Sequence, residues 1–127
     1  MSWYPESDAK PLLGKVLDRV GVSADRERFT LHFADGTSKA LGVEGECCSS
    51  SWIEHLEAPE DLRGAILVGV ENSGRAPWDD HDCRKVRCEH DSLAVYHTVF
   101  HTTRGDIILE YRNDSNGYYG GYLVSLD

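Results

Sequence analysis

The sequence predicts an α+β fold, an antiparallel sheet of about six or seven strands with one or two short helices on one face. Three observations lead there. Apolar and polar residues alternate at period two over Phe29–Phe33, and Leu93–His101 alternates again with Val95, His97, Val99 and His101 on one face and Tyr96, Thr98 and Phe100 on the other. Asp35-Gly36 and Asn116-Gly117 are strong hairpin signals, because glycine accepts positive φ without steric cost. Between the alternating halves, Ser51 and Glu54 have the spacing of a capping box that opens a helix.

The elements follow in chain order. Residues 1–12 read as an N-terminal arm, its first ten residues polar apart from Trp3 and Tyr4, whose two aromatics can pin it to the body. Val16, Val20 and Val22 share one parity and predict a first strand, closed by the polar stretch Ser23–Glu27. Phe29, Leu31 and Phe33 form the inner face of a second strand, and Thr37–Val43 a third, so the first half is an antiparallel meander. Ser51 then caps a helix of about two turns with Ile53 and Leu56 inward, and Pro59-Glu60-Asp61-Leu62 begins a second helical turn. Ala65–Val70 is a compact apolar run, read as a central strand. Residues 72–92 carry five acids and four basic residues and few aliphatics, so they read as an inserted Cys/His loop in a single domain spanning 1–127. Strands over Leu93–His101, Ile107–Arg112 and Tyr118–Leu126 complete the sheet.

Charge narrows the function classes. Thirteen basic against 22 acidic residues give −9 at pH 7, which argues against a nucleic-acid groove and against a polybasic membrane surface. Apolar stretches are too short to span a bilayer or to form a signal core, so the expected location is the cytoplasm. No P-loop, dinucleotide fingerprint, zinc-protease helix or Gly-x-Ser-x-Gly elbow is present.

Two stretches carry a resemblance. Gly45-Glu46-Cys47-Cys48-Ser49-Ser50-Ser51-Trp52-Ile53 places an acid and a Cys pair before the expected helix. Tyr111-Arg112-Asn113-Asp114-Ser115-Asn116-Gly117-Tyr118-Tyr119-Gly120 precedes the last strand, and Leu62-Arg63-Gly64 stands ahead of an apolar strand. Together they resemble an uncharacterised family of small phage and bacterial proteins, over roughly residues 14–126. The resemblance implies a fold and a phage or mobile-element setting, and no reaction. Between Ser73 and Ser92 the chain departs from typical relatives, so nothing is carried over to that loop.

The densest local chemistry is His81-Asp82-Cys83-Arg84-Lys85-Val86-Arg87-Cys88-Glu89-His90. In a hairpin with a four-residue tip, His81, Cys83, Cys88 and His90 point to one face, a donor set suited to one structural zinc ion. The same geometry suits a Cys83–Cys88 disulfide, and unpaired surface residues are the third reading. Cys47 and Cys48 point to opposite sides of an extended chain; packing is favoured over a nucleophile with His55 or His101 as base. His32, His97 and His101 lie on strands, where a lone histidine is more often solvated than a ligand. Ser115, Asn116, Tyr118 and Tyr119 read either as turn chemistry or as a tyrosine-flanked binding rim.

Glu54, Glu57, Glu60 and Asp61, with Glu44 and Glu46, form an acidic run without Lys or Arg. Such a run is either a solvated face or a surface that competes with nucleic acid for a basic groove on a host complex. The favoured expectation is therefore a small acidic binding protein, an anti-defence inhibitor of a CRISPR-like complex, acting in the host cytoplasm on a basic protein partner. A small-ligand binder or metal-assisted hydrolase using the Cys pair, the Ser-Asn-Gly-Tyr loop and His101 is the alternative. A structural component that forms a homodimer through an edge strand is the third.

Overall fold

The computed structural model describes residues 3–45, 50–78, 92–115 and 121–126. A one-turn helix α1 (Pro5–Asp8) and a 3-10 turn (Lys10–Leu12) precede the strands β1 (Leu17–Val22), β2 (Arg28–Phe33), β3 (Ser38–Gly45), β4 (Ser50–Glu57), β5 (Leu67–Trp78), β6 (Ser92–Thr102), β7 (Gly105–Ser115) and β8 (Gly121–Ser125). They form two four-stranded antiparallel sheets, β1-β2-β3-β8 and β4-β7-β6-β5, packed face to face. The fold is mostly β.

The alternating segments behave as their periodicity requires. Phe29, Leu31 and Phe33 of β2 and Leu41 and Val43 of β3 face inward against Ile53, Phe100, Ile107 and Leu109 of the second sheet. Phe29 and Phe100 meet across the layers with ring centroids 5.3 Å apart. Burying each such side chain contributes about 1.5–3 kcal/mol, so these rows set the register. The Asp35-Gly36 signal forms the β2–β3 turn, with Gly36 at φ 88° and Asp35 Oδ1 accepting the Thr37 amide at 2.9 Å. The Thr37 hydroxyl and amide hold the Asp35 carboxyl below its usual range.

Four expectations are corrected. The expected single sheet is two sheets with eight strands. No helix forms after Ser51: residues 50–57 are β4, and Pro59–Leu62 is a turn. The helix-like spacing of Ile53 and Leu56 has a different cause. The register of β4 against β7 slips between Ile53 and His55, and this β-bulge brings residues three apart to one face. Ser51 caps nothing; its hydroxyl donates to the Glu44 carbonyl at 3.1 Å, while Glu54 accepts the Trp52 indole N–H at 3.0 Å. The run Ala65–Val70 is an edge strand rather than a central one. The 72–92 insertion is shorter than expected, since β5 continues to Trp78 and β6 begins at Ser92.

The sheets are tied at their margins. On one side Val16 bridges Ile66, the Leu17 amide donates to Ala65 O at 2.7 Å, and the Leu67 amide donates to Lys15 O at 3.0 Å. On the other, the Ile53 amide donates to Arg26 O at 2.7 Å, and the Arg26 guanidinium donates to the Ile53 and Glu54 carbonyls. Of the arm's two aromatics Trp3 pins it, with Ala9 and Leu12 also in the core: Trp3 is buried, and its amide donates to Leu123 O at 3.0 Å along the edge of β8. Tyr4 is exposed.

Candidate functional site

The expected zinc ligands His81, Cys83, Cys88 and His90 lie outside the described residues, as do Asn116, Tyr118, Tyr119 and the pair Cys47 and Cys48. Ser115 is the last residue of β7, its backbone opposite Ser92. Of the acidic run, Glu54 sits at the β4 bulge, Glu57 closes that strand, and Glu60 and Asp61 are exposed in the following turn. The run is interrupted in space, although not in sequence. Arg104 donates to the Asp61 carbonyl at 3.1 Å and to the Arg63 carbonyl at 2.5 Å, and Arg63 pairs with Asp18 at 2.8 Å.

The acidic surface that does assemble is the outer face of the second sheet. Antiparallel pairing sets Glu57 beside Ile108, Ile108 beside Val99, and Val99 beside Glu71. The next row runs His55, Glu110, His97, and the row at the other end places Asp106 beside His101. Glu110 bonds His97 Nε2 at 3.1 Å with one oxygen and Arg112 Nη2 at 3.0 Å with the other. His101 lies between two carboxylates, with Nδ1 2.8 Å from Asp106 and Nε2 3.2 Å from Glu71. Asp106 and then Glu71 hold the His101 imidazolium above its usual range. Sequence reasoning missed Glu71 of β5 and Asp106 and Glu110 of β7 because only pairing on either side of β6 brings these strands to one face. The signal was the shared parity of the charged residues Asp106, Glu110 and Arg112 along β7.

A second locus lies at one end of the sandwich. Gly45 pairs with Gly121, Ser50 with Asp114, and Ser92 with Ser115, so the ends of five strands meet there. Their interior is polar: Asn113 Nδ2 donates to Ser51 Oγ at 3.0 Å, the Gly121 amide donates to the Tyr96 hydroxyl at 3.1 Å, and Thr98 Oγ1 donates to Asn72 Oδ1 at 2.8 Å. Tyr96 and Tyr111 stack with centroids 5.0 Å apart, and burial pushes the Tyr111 phenol up to about 12. Gly121 is required by space here, since a Cβ would stand 2.7 Å from Ser51 Oγ. His101 is remote from this end. It pairs with Asp106 near the β6–β7 turn, about 30 Å along the strand from Ser92, which removes it as a base for a site at Ser115.

Two open clefts flank the Ser23–Glu27 turn. One, of about 440 Å³, is lined by Arg26, Glu54, His55 and Leu56; the other, of about 470 Å³, by Asp25, Arg28, Glu44 and Val124 among others. Among the described residues no group of three His, Cys, Asp or Glu side chains is arranged to hold a metal ion, and no helix is long and apolar enough to cross a membrane.

A family described as a domain of unknown function, DUF7448, matches residues 10–124. No curated protein and no solved structure matches the chain.

Proposed function

The chain belongs to the DUF7448 family, and we propose that within it this protein is a small acidic binding protein that presents carboxylates to a basic surface of a protein partner. One observation carries the reading: Glu54, Glu57, Glu71, Asp106 and Glu110 are spread over one sheet face, where among the described residues Arg112 is paired with Glu110 and His101 stands between Asp106 and Glu71. Exposed Glu60 and Asp61 continue that acidic character in the turn after β4. Charge of one sign over a broad face raises association rates with an oppositely charged partner and makes them salt-sensitive. In its sharper form the partner is a nucleic-acid-handling complex of CRISPR type. The protein would then be a phage or mobile-element anti-defence factor acting in the host cytoplasm.

The test is competition. Purified CRISPR effector complex is mixed with duplex DNA and increasing protein, at low and moderate salt. The expected result is displacement of DNA that weakens with salt and falls at least tenfold when Glu54, Glu57, Glu60 and Asp61 are all changed to Lys. Displacement unaltered by those four changes, in a variant with an unchanged circular dichroism spectrum, sinks the acidic-surface reading.

A second reading has one observation in its favour. The segments carrying Cys47 and Cys48 and the Ser-Asn-Gly-Tyr motif depart from neighbouring strand ends, Gly45 beside Gly121 and Ser50 beside Asp114. A small-ligand site there would draw on Ser115, Asn116, Tyr118 and Tyr119, without His101.

We further propose one structural zinc ion at His81, Cys83, Cys88 and His90. The β5–β6 ladder ends with Trp78 opposite Leu93. His81 lies three residues after Trp78 and His90 three before Leu93; Cys83 and Cys88 lie five from the same two positions. Equal spacing from a paired position is what four convergent donors on a hairpin need. Native mass spectrometry of untagged protein should show the mass of one zinc, lost on denaturation. Two missing hydrogens in a metal-free chain would assign a Cys83–Cys88 disulfide instead.

A further inference from the structure

The sheet face described above also holds a cluster that its charge does not explain. His101 of β6 stands between Asp106 of β7 and Glu71 of β5, and both ring nitrogens lie within hydrogen-bonding distance of a carboxylate oxygen. A neutral imidazole carries one N–H and one lone pair. It can donate to one carboxylate, and it then turns a lone pair towards the other. Only the imidazolium donates to both. Gly69 stands opposite His101 on β5, and a Cβ at that position would meet His101 Cδ2 at an ordinary contact distance of 3.6 Å.

The charged groups facing this imidazole are the Glu71 carboxylate from β5 and the Asp106 carboxylate from β7. Arg104, in the turn between β6 and β7, is directed instead at the Asp61 and Arg63 carbonyls. Along β6, His97 stands with Glu110 one row beyond Val99. The two contacts are unequal. Asp106 is the direct cross-strand partner of His101 at 2.8 Å, whereas Glu71 is opposite Val99, reaches diagonally to 3.2 Å and is 66% exposed.

We propose that His101 is a proton-controlled clasp that, when protonated, ties the edge strand β5 across β6 to β7, and on losing its proton keeps Asp106 and releases Glu71. The direction follows from the raised titration of His101. A group whose folded value lies above its unfolded value contributes stability that is full below the unfolded value, near 6.5, and is lost as pH rises through the folded one. Acid therefore tightens β5 and alkali loosens it. The effect is local, because β5 is an edge strand whose ladder among the described residues is with β6, its other margin meeting Gly14–Val16 only around Ile66 and Leu67.

Histidine ring resonances followed by NMR against pH, together with amide hydrogen exchange over Gly69–Asn72 corrected for intrinsic rates, test the clasp. His101 should titrate above the ordinary imidazole value, and β5 protection should fall about two- to fivefold across that titration, the size of an exposed ion pair. In Glu71→Gln, an exposed change that leaves the core untouched, the titration should move down and the protection should lose its pH dependence. A His101 titration at or below the ordinary value overturns the proposal. So does β5 protection that ignores the titration, or a Glu71→Gln variant that behaves as the parent.

Discussion

Arg26 is the non-glycine residue with positive φ among those described, at 62°. A left-handed backbone costs an L-residue about 1–2 kcal/mol, and here the side chain offsets it. Its guanidinium donates to the Ile53 and Glu54 carbonyls at 3.4 and 3.1 Å, while its own carbonyl accepts the Ile53 amide. One residue thus occupies backbone groups at the open edge of β4. The turn around it is held locally, with the Arg28 amide on Ser23 Oγ and the Glu27 amide on Asp25 Oδ1. Two substitutions separate strain from contact. Arg26→Ala loses the guanidinium and keeps the strained backbone; Arg26→Gly loses the guanidinium and relieves the strain. Both should unfold at lower urea concentration than the parent, and the glycine variant should be the more stable of the two by about 1 kcal/mol. An alanine variant as stable as the glycine variant would show that position 26 is not strained.

At the scale of elements, what was legible was what period two expresses without interruption. β2 with β3 and β6 with β7 form ladders without a register shift, and their inward residues follow directly from alternation. The hairpin at Asp35-Gly36 was legible for the same reason, because its chemistry is local. What misled was the bulge. Between Leu17 and Arg19 a register shift places Leu17, rather than Val16, in phase with Val20 and Val22. Between Ile53 and His55 another makes Ile53 and Leu56 co-facial and imitates a helix. A bulge is decided by the partner strand and leaves no fixed signature in its own sequence. The second sheet's place in the fold was hidden in the same way. Ala65–Val70 is apolar at both parities, as a central strand would be, yet Ile66 and Val68 are exposed. Ala65 and Leu67, with Val70 packed against the core cluster, account for the core contact, and Ile66 for the bridge to Val16. The candidate site was legible in type, since acids were expected, and not in place. Glu71, Asp106 and Glu110 become neighbours only through pairing between β5, β6 and β7.

The whole molecule manages four sheet edges, and each is engaged at some point. β1 and β5 meet through Val16 and Ile66, β4 meets Arg26, and β8 meets Trp3. An edge strand left open is a template for pairing with a second chain, so these contacts bear on whether the protein stays monomeric. The N-terminal arm is the most separable of them. Trp3 is 4% exposed, joins the core cluster beside Leu123, and carries the Lys39 ammonium 5.7 Å from its ring centroid. Its amide occupies the Leu123 carbonyl that would otherwise face outward from β8. Trp3→Ala should therefore cost about 3 kcal/mol in urea unfolding, whereas Tyr4→Ala, at an exposed position, should stay within about 0.5 kcal/mol of the parent. Removing residues 1–9 should do more than destabilise. It takes away the backbone donor as well as the indole, exposes the β8 edge, and should produce concentration-dependent dimers in size-exclusion chromatography with light scattering. The net charge of −9 opposes that association at low salt, so dimers should increase as salt screens it. A truncated chain that is fully folded and monomeric at every salt concentration would mean that the arm packs against β8 without guarding it.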